Sequence, residues 1–156
     1  MRNTSTTNGA RKVGEMLQAN EVIKDGPWAG FDVVHAYSRA QALEDGVLVN
    51  VSETAREAGI KFPVALTRTV WVKLVEVPKG TEGLQDESGR LWDVLWMMSR
   101  AIRASSGGRR IDYAVIAVTG VSKRGRIKRE TLKLKAMCGP GDDAAPVITV
   151  MFPDED

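Results

Sequence analysis

The chain has 156 residues, of which 43% are hydrophobic and 27% charged, and its formal net charge is +2. This length suits one domain with one core, and the composition excludes a chain that is disordered throughout. Residues 1–12 lack the apolar run of a signal peptide, and no segment reaches the roughly 18 apolar residues of a membrane span. Because Cys138 is the only cysteine, no intrachain disulfide can form, which favours a cytoplasmic protein.

The first residues predict little regular structure. Residues 1–12 are polar and have the composition of a flexible tail, so we place a single α+β domain over residues 13–156. Apolar spacing predicts a short helix over 13–23. The apolar run 32–36 predicts an extended segment that leads into the next helix.

A capping box marks the first well-defined helix. Ser38 and Gln41 have the spacing at which each side chain can bond the other residue's free backbone N–H. The sequence therefore predicts a helix over 39–44 that ends at Gly46, where a left-handed conformation is favoured. Residues 47–51 predict a short strand.

Two further helices are predicted in the middle of the chain. Ser52 is expected to cap a short helix that runs to Glu57 and stops at Gly59. A proline at a first helical position and an apolar stripe predict a helix over 63–75. The β-branched residues of this region leave helix and strand open over 69–77.

The second half of the chain predicts one long helix followed by strands. Residues 78–89 are expected to form a long polar loop, and apolar residues at helical spacing predict an amphipathic helix over 91–104. The period then changes from 3.6 to 2, and three strands follow at 111–119, 129–137 and 147–152. The first of these is apolar on both faces, as a central strand is. The predicted fold is α+β, with short N-terminal helices and the long helix packed on a C-terminal three-stranded antiparallel sheet.

Several segments resemble those of a small bacterial family with no assigned activity that is encoded on phages, plasmids and integrated elements. The resemblance is carried by residues 36–49, 52–59, 62–67 and 138–143. It implies a mobile-element setting and, by analogy, a nucleic acid or a host nucleic-acid-handling protein as partner.

The charges of the chain are sorted into blocks. Residues 99–135 contain 11 basic and two acidic side chains, whereas residues 136–156 contain five acidic and no basic ones. A hairpin tip within the basic block could enter a DNA groove. A solvated tip, an acidic protein partner and neutralisation by the acidic C-terminus are the alternatives. The candidate binding residues are Arg100, Arg103, Arg109, Arg110, Lys123, Arg124, Arg126, Lys128 and Arg129.

Two tryptophans form a second candidate surface. Helical spacing places Trp92, Trp96 and Arg103 about 120° from the centre of the apolar stripe of the long helix. There they could stack nucleic-acid bases or anchor a protein partner. Alternatively, the segment around Trp28 covers them, since large aromatic side chains are rarely left wet.

Catalytic chemistry has little support in the sequence. The single histidine, His35, lies in an apolar run, and its spacing connects it to neither a serine nor Cys138. We predict no catalytic residues, no metal site and no cofactor; a small enzyme with a site near His35, Tyr37 and Arg39 is the rival hypothesis. Two adjacent acidic residues, Asp142 and Asp143, are expected to be solvated.

An assembly hypothesis follows from the apolar strands. If the long helix covers one face of the sheet, the other face could meet a second subunit or the short N-terminal helices. A twofold homodimer would double the basic hairpin. Light scattering that showed a monomer at micromolar concentration would contradict it.

Overall fold

A computed structural model of the protein describes residues 37–156. The predicted tail over 1–12, the helix over 13–23 and the extended segment over 32–36 lie outside these residues. The helices are α1 (Arg39–Glu44), α2 (Ser52–Glu57), α3 (Arg68–Val70), which continues as a π-helical turn (Trp71–Val75), and α4 (Glu87–Ala104). The strands are β1 (Leu48–Asn50), β2 (Val64–Thr67), β3 (Arg110–Val121), β4 (Ile127–Pro140) and β5 (Pro146–Met151).

The five strands form one mixed sheet in the order β1-β2-β5-β4-β3. All neighbours are antiparallel except β2 and β5, which are parallel. The α+β class and the antiparallel β3-β4-β5 meander are therefore confirmed. The prediction of a three-stranded sheet is wrong, because β1 and β2 extend it beyond β5.

The prediction of a helix over 63–75 places its start five residues too early. Val64, Ala65 and Leu66 are at most 1% exposed, a run typical of a strand buried on both faces. β2 is a central strand that lies between β1 and β5. The helix begins after Thr67, whose Oγ1 accepts a bond from the Val70 N–H at 3.3 Å. The region 69–77, for which helix and strand were both open, is helical up to Val75.

The two short helices near the start of the described residues follow the sequence, with one exception. The capping box at Ser38 and Gln41 is present, and Gly46 has a φ of +73°. The helix α2 ends at Glu57 as predicted, but it begins at Ser52, which therefore does not cap it. Instead, the Ser52 Oγ accepts a bond from the Val64 N–H at 3.1 Å, which ties α2 to β2.

The long helix α4 covers one face of the sheet. It begins at Glu87, earlier than predicted, because the Asp86 carboxylate caps it by accepting the Gly89 N–H at 2.6 Å. Its predicted apolar stripe is confirmed, with Val94, Leu95 and Met98 at 0% exposure. The core that they form includes residues of β3, β4 and β5.

The strand β3 is an edge strand, although its apolar residues predicted a central one. It pairs with β4 alone in the sheet of the described residues. The side chains of Tyr113, Val115 and Ala117 are buried, whereas Ile116, on the opposite face, is 68% exposed. The apolar residues on that face are at least partly exposed, and they do not show that β3 has a strand on each side.

One buried side chain on β3 yields a stability prediction. The Tyr113 hydroxyl is buried, and no residue in the described part of the chain bonds to it. Leaving such a group unpaired costs free energy, so we expect Tyr113→Phe to raise the free energy of unfolding by about 1 kcal/mol. Urea denaturation at neutral pH measures this, and a clear loss of stability would contradict it.

The same hydroxyl gives the protein a dependence on alkaline pH. Burial raises the pKa of Tyr113 well above its ordinary value. Above about pH 10 the tyrosine of the unfolded chain ionises while the folded one stays protonated, so the unfolded state binds fewer protons. Stability should thus be unaffected by this group below pH 10 and fall above it. The Tyr113→Phe variant should lack this contribution.

Candidate nucleic-acid interface

The strands β3 and β4 continue as a two-stranded ribbon beyond the wider sheet. Their pairing runs from Arg110 opposite Met137 to Val121 opposite Ile127. β4 pairs with β5 only over residues 135–140. We call residues 118–129, the outer part of this hairpin, the basic ribbon. It lies about 20 Å or more from the start of the β4-β5 pairing, at about 3.3 Å per residue.

Hydrogen bonds fix the tip of the basic ribbon. The Ser122 N–H donates to the Arg126 carbonyl at 2.8 Å, and the Ser122 carbonyl accepts the Gly125 N–H at 2.9 Å. The Ser122 Oγ also accepts the Arg126 N–H at 3.0 Å. Gly125 has a φ of +74°, which a side chain would oppose. The tip is thus a closed turn with Lys123 and Arg124 at its apex.

The basic side chains of the ribbon are exposed and unneutralised. They are Lys123, Arg124, Arg126, Lys128 and Arg129. None of them belongs to an ion pair with a residue between 37 and 156. The neighbouring acid, Glu130, accepts a bond from the Thr119 hydroxyl at 2.9 Å. The ribbon therefore presents a concentrated positive charge to solvent.

The acidic C-terminus contacts the basic block at a single lysine, Lys135, which lies outside the basic ribbon. The Lys135 side chain is 8% exposed, and its Nζ donates to the carbonyls of Pro153 and Glu155. The Glu155 carboxylate accepts bonds from the Thr67 hydroxyl and the Phe152 N–H. Within the described residues, no hydrogen bond or ion pair joins residues 153–156 to the ribbon tip. In the part of the chain that the structure describes, neutralisation of the basic block by the acidic C-terminus is thus confined to Lys135.

The structure divides the predicted basic residues into two groups. Ile102 of α4 and Ile111 of β3 line one cavity, so the end of α4 lies beside the start of β3. β3 has 12 residues and spans about 35 Å, which separates this end from the ribbon tip. The group at the α4 end comprises Arg100, Arg103, Arg109 and Arg110. Arg110 is already paired with Asp112, with Nη2 and Oδ1 2.8 Å apart.

The tryptophans lie on the outer face of α4, as their spacing predicted. Trp92 is 36% and Trp96 37% exposed, and their rings stack with centroids 5.8 Å apart. The Arg103 Cζ lies 5.9 Å from the Trp96 ring centroid. Trp28, which was expected to cover this surface, is outside the described residues.

A groove beside Trp92 has the wrong charge for a polyanion. Its volume is about 780 Å³, and its lining includes the carboxylates of Glu57, Asp86 and Asp93. Carboxylates repel phosphates, so this side of the tryptophan pair does not favour nucleic acid. The surface differs in this respect from the basic ribbon.

The residues of the rival enzyme hypothesis have structural partners. The Tyr37 hydroxyl donates to the Asp45 carboxylate at 2.7 Å, and this bond raises the pKa of Tyr37. The Arg39 guanidinium donates to the Thr149 hydroxyl at 2.6 Å and to the Ile148 carbonyl at 3.0 Å. Burial lowers the pKa of Arg39. His35 is outside the described residues.

The turn between β4 and β5 contains an interaction that the sequence did not reveal. Asp142 was expected to be solvated, but its two carboxylate oxygens accept the N–H groups of Arg39 and Ala40 at 2.9 and 2.8 Å. Together with the Arg39 bonds to β5, these contacts form what we call the α1 clasp. Asp143 accepts the Ala145 N–H within the same turn. Neither acid is placed as part of a metal site, since residues 37–156 contain no cluster of three His, Cys, Asp or Glu side chains.

The geometry defines a small α+β protein with a mixed sheet and a projecting basic ribbon. A family model, described as a family of unknown function (DUF6573), matches residues 25–156. The chain therefore belongs to this family. No curated protein and no solved structure matches it. None of the helices over residues 37–156 combines the length and apolar character that a membrane crossing requires.

Proposed function

We propose that this protein is a nucleic-acid-binding protein of a mobile element, and that it places the tip of the basic ribbon in the major groove of duplex DNA. The observation that carries the proposal is the exposure of five basic side chains on a projecting ribbon, none of them paired with a described acid. The major groove is about 12 Å wide and admits a two-stranded ribbon. The resemblance to mobile-element proteins supports the setting.

The charge and shape of the ribbon favour contacts to phosphates. Lysine and arginine contribute to affinity by neutralising phosphates and releasing bound counterions. The fixed turn at Ser122 lowers the conformational entropy lost on binding, because the tip is already ordered. Contacts of this kind give affinity without strong sequence preference. We therefore expect the protein to bind many duplex sequences.

The salt dependence of binding tests the proposal. If the five basic side chains of the ribbon each contact a phosphate, log affinity should fall with log salt at a slope of about −4.5. Fluorescence anisotropy of a labelled duplex measures the slope. No binding even at about 50 mM salt would overturn the proposal.

A variant of the ribbon tip locates the contact. The triple substitution Lys123→Ala, Arg124→Ala and Arg126→Ala should weaken duplex binding by about 100-fold at about 100 mM salt and reduce the slope by about 2.7. The matched control, Arg56→Ala, Arg100→Ala and Arg109→Ala, also removes three exposed charges, none of them on the ribbon. It should retain most of the affinity. Equal losses in the two variants would show that general charge, and not the ribbon, binds DNA.

A further inference from the structure

An apolar cavity of about 290 Å³ lies at the end of the molecule opposite the ribbon tip. Its apolar lining comes from the segment after α2, from the end of α4 and from three strands, and consists of Ile60, Phe62, Ile102, Ile111, Cys138 and Ile148. The volume is close to the lower end of the range for small-molecule sites, about 300 Å³. Phe62 is 45% exposed, so the cavity has a partly solvent-exposed aromatic residue in its wall.

Two basic side chains line this cavity, and none of the residues between 37 and 156 that line it is acidic. Lys61 and Arg103 are its charged lining residues. Neither belongs to an ion pair with any residue from 37 to 156. A site with apolar walls and two cations is complementary to a molecule with an apolar body and a negative end.

The Arg103 guanidinium lies between a tryptophan ring and a glycine in the free protein. It lies over the Trp96 ring, and its Nη2 packs against Gly59, where a Cβ atom would be only 2.8 Å away. Gly59 thus leaves the space that the guanidinium occupies. A cation that is already oriented loses less entropy when it binds an anion.

We propose that this cavity binds a small carboxylate with an aliphatic tail, of the medium-chain fatty acid class. The tail lies among the isoleucines and Phe62, and the carboxylate accepts hydrogen bonds from Arg103 and Lys61. This function is separate from nucleic-acid binding, since the cavity and the ribbon tip are at opposite ends of β3. Arg103 is then part of a ligand site, although its position in the basic block had suggested a phosphate contact.

Calorimetric titration with octanoate tests the binding. We expect saturable binding of octanoate, roughly tenfold weaker binding of octanol, which lacks the charge, and no binding of octylammonium. The double variant Lys61→Gln and Arg103→Gln should bind octanoate at least about tenfold more weakly. The control Arg56→Gln and Arg100→Gln changes two exposed arginines that do not line the cavity, and it should bind normally.

The single cysteine reports where octanoate binds. Cys138 lines the cavity and is partly exposed, so a neutral alkylating reagent such as iodoacetamide should modify it in the free protein. Saturating octanoate should slow this reaction several-fold, as followed by intact-protein mass spectrometry, whereas octylammonium should not. Because the chain has one cysteine, the mass change identifies Cys138 as the alkylated residue. Cys138 also lines a second cavity beside α1, so the Lys61 and Arg103 double variant, in which octanoate should no longer slow the reaction, assigns the protection to the cavity beside Arg103.

Four results would overturn the proposal. They are the absence of octanoate binding at millimolar concentration, equal binding by octanol, unchanged binding in the Lys61 and Arg103 double variant, and an alkylation rate of Cys138 that octanoate does not alter. A thiol that fails to react in the free protein would show a closed cavity and would count against it as well. DNA binding by the ribbon can succeed or fail independently of these results.

Discussion

Replacing Arg90 with methionine should lower the free energy of unfolding by about 2–4 kcal/mol, because the change leaves partly buried oxygen acceptors without their donor. Arg90 is 6% exposed and lies where α4, the π-helical turn and β3 meet. Its Nη1 donates to the Val118 carbonyl at 2.8 Å and to the Gln85 side chain at 2.9 Å. Its Nη2 donates to the Lys73 carbonyl at 3.2 Å.

The environment of Arg90 explains both the size and the sign of the expected change in the free energy of unfolding. Burial lowers the pKa of Arg90, and the nearby charge of Asp93 opposes this effect. The guanidinium is held by neutral oxygens, since none of its hydrogen bonds within the described residues ends on a carboxylate. Methionine relieves the burial of a charge but removes the donor from three acceptors at once, one on the π-helical turn, one on β3 and one on the loop before α4. An orphaned acceptor costs about 1–3 kcal/mol when it is buried.

Urea denaturation compares Arg90→Met with a matched control. Arg100 is on the same helix and is exposed, so Arg100→Met should change stability by less than about 0.5 kcal/mol. A lysine at position 90 should also destabilise, because one ammonium cannot reproduce the planar fork of arginine. If Arg90→Met matches the control, the guanidinium does not hold these elements together.

Truncating Leu66 to alanine should cost about 3–5 kcal/mol, the largest loss that we expect from one apolar substitution. Leu66 is 0% exposed and lies opposite Val49 of β1 and Val150 of β5. The residue is held by strands on both sides, so the space left by the removed atoms cannot close easily. Both the lost burial and the remaining cavity then contribute.

The control for this prediction is another leucine. Leu84 is 66% exposed, and Leu84→Ala should change the free energy of unfolding by less than about 0.5 kcal/mol. Thermal or urea unfolding monitored by circular dichroism measures both variants. A cost below about 2 kcal/mol for Leu66→Ala would show that the neighbourhood of β2 relaxes more than the structure indicates.

Elements determined by neighbouring residues could be predicted from the sequence. The capping box at Ser38 and the apolar stripe of α4 each depend on residues a few positions apart, and both were correct. β2 was missed because its apolar residues continue at helical spacing into α3. Its position between β1 and β5 depends on pairing with distant residues, which local spacing does not reveal.

Properties that depend on distant partners could not be predicted in this way. The edge position of β3 depends on the strand order, which the apolar character of Ile116 does not reveal. Similarly, the sequence grouped Arg103 with Arg126, although β3 separates them. The basic hairpin tip could be predicted because its residues are adjacent in the sequence. The cavity beside Arg103 could not, because five separate segments line it.

The α1 clasp has a consequence for the order of folding. α1 has six residues, too few for an isolated helix to persist in water, where about 12–15 are needed. Two of its backbone donors are satisfied by a carboxylate 102 and 103 positions further along the chain. During synthesis, α1 therefore emerges long before its cap and becomes stable only after the β4-β5 turn has formed. Within the described residues, the first helix in sequence is among the last elements to be secured.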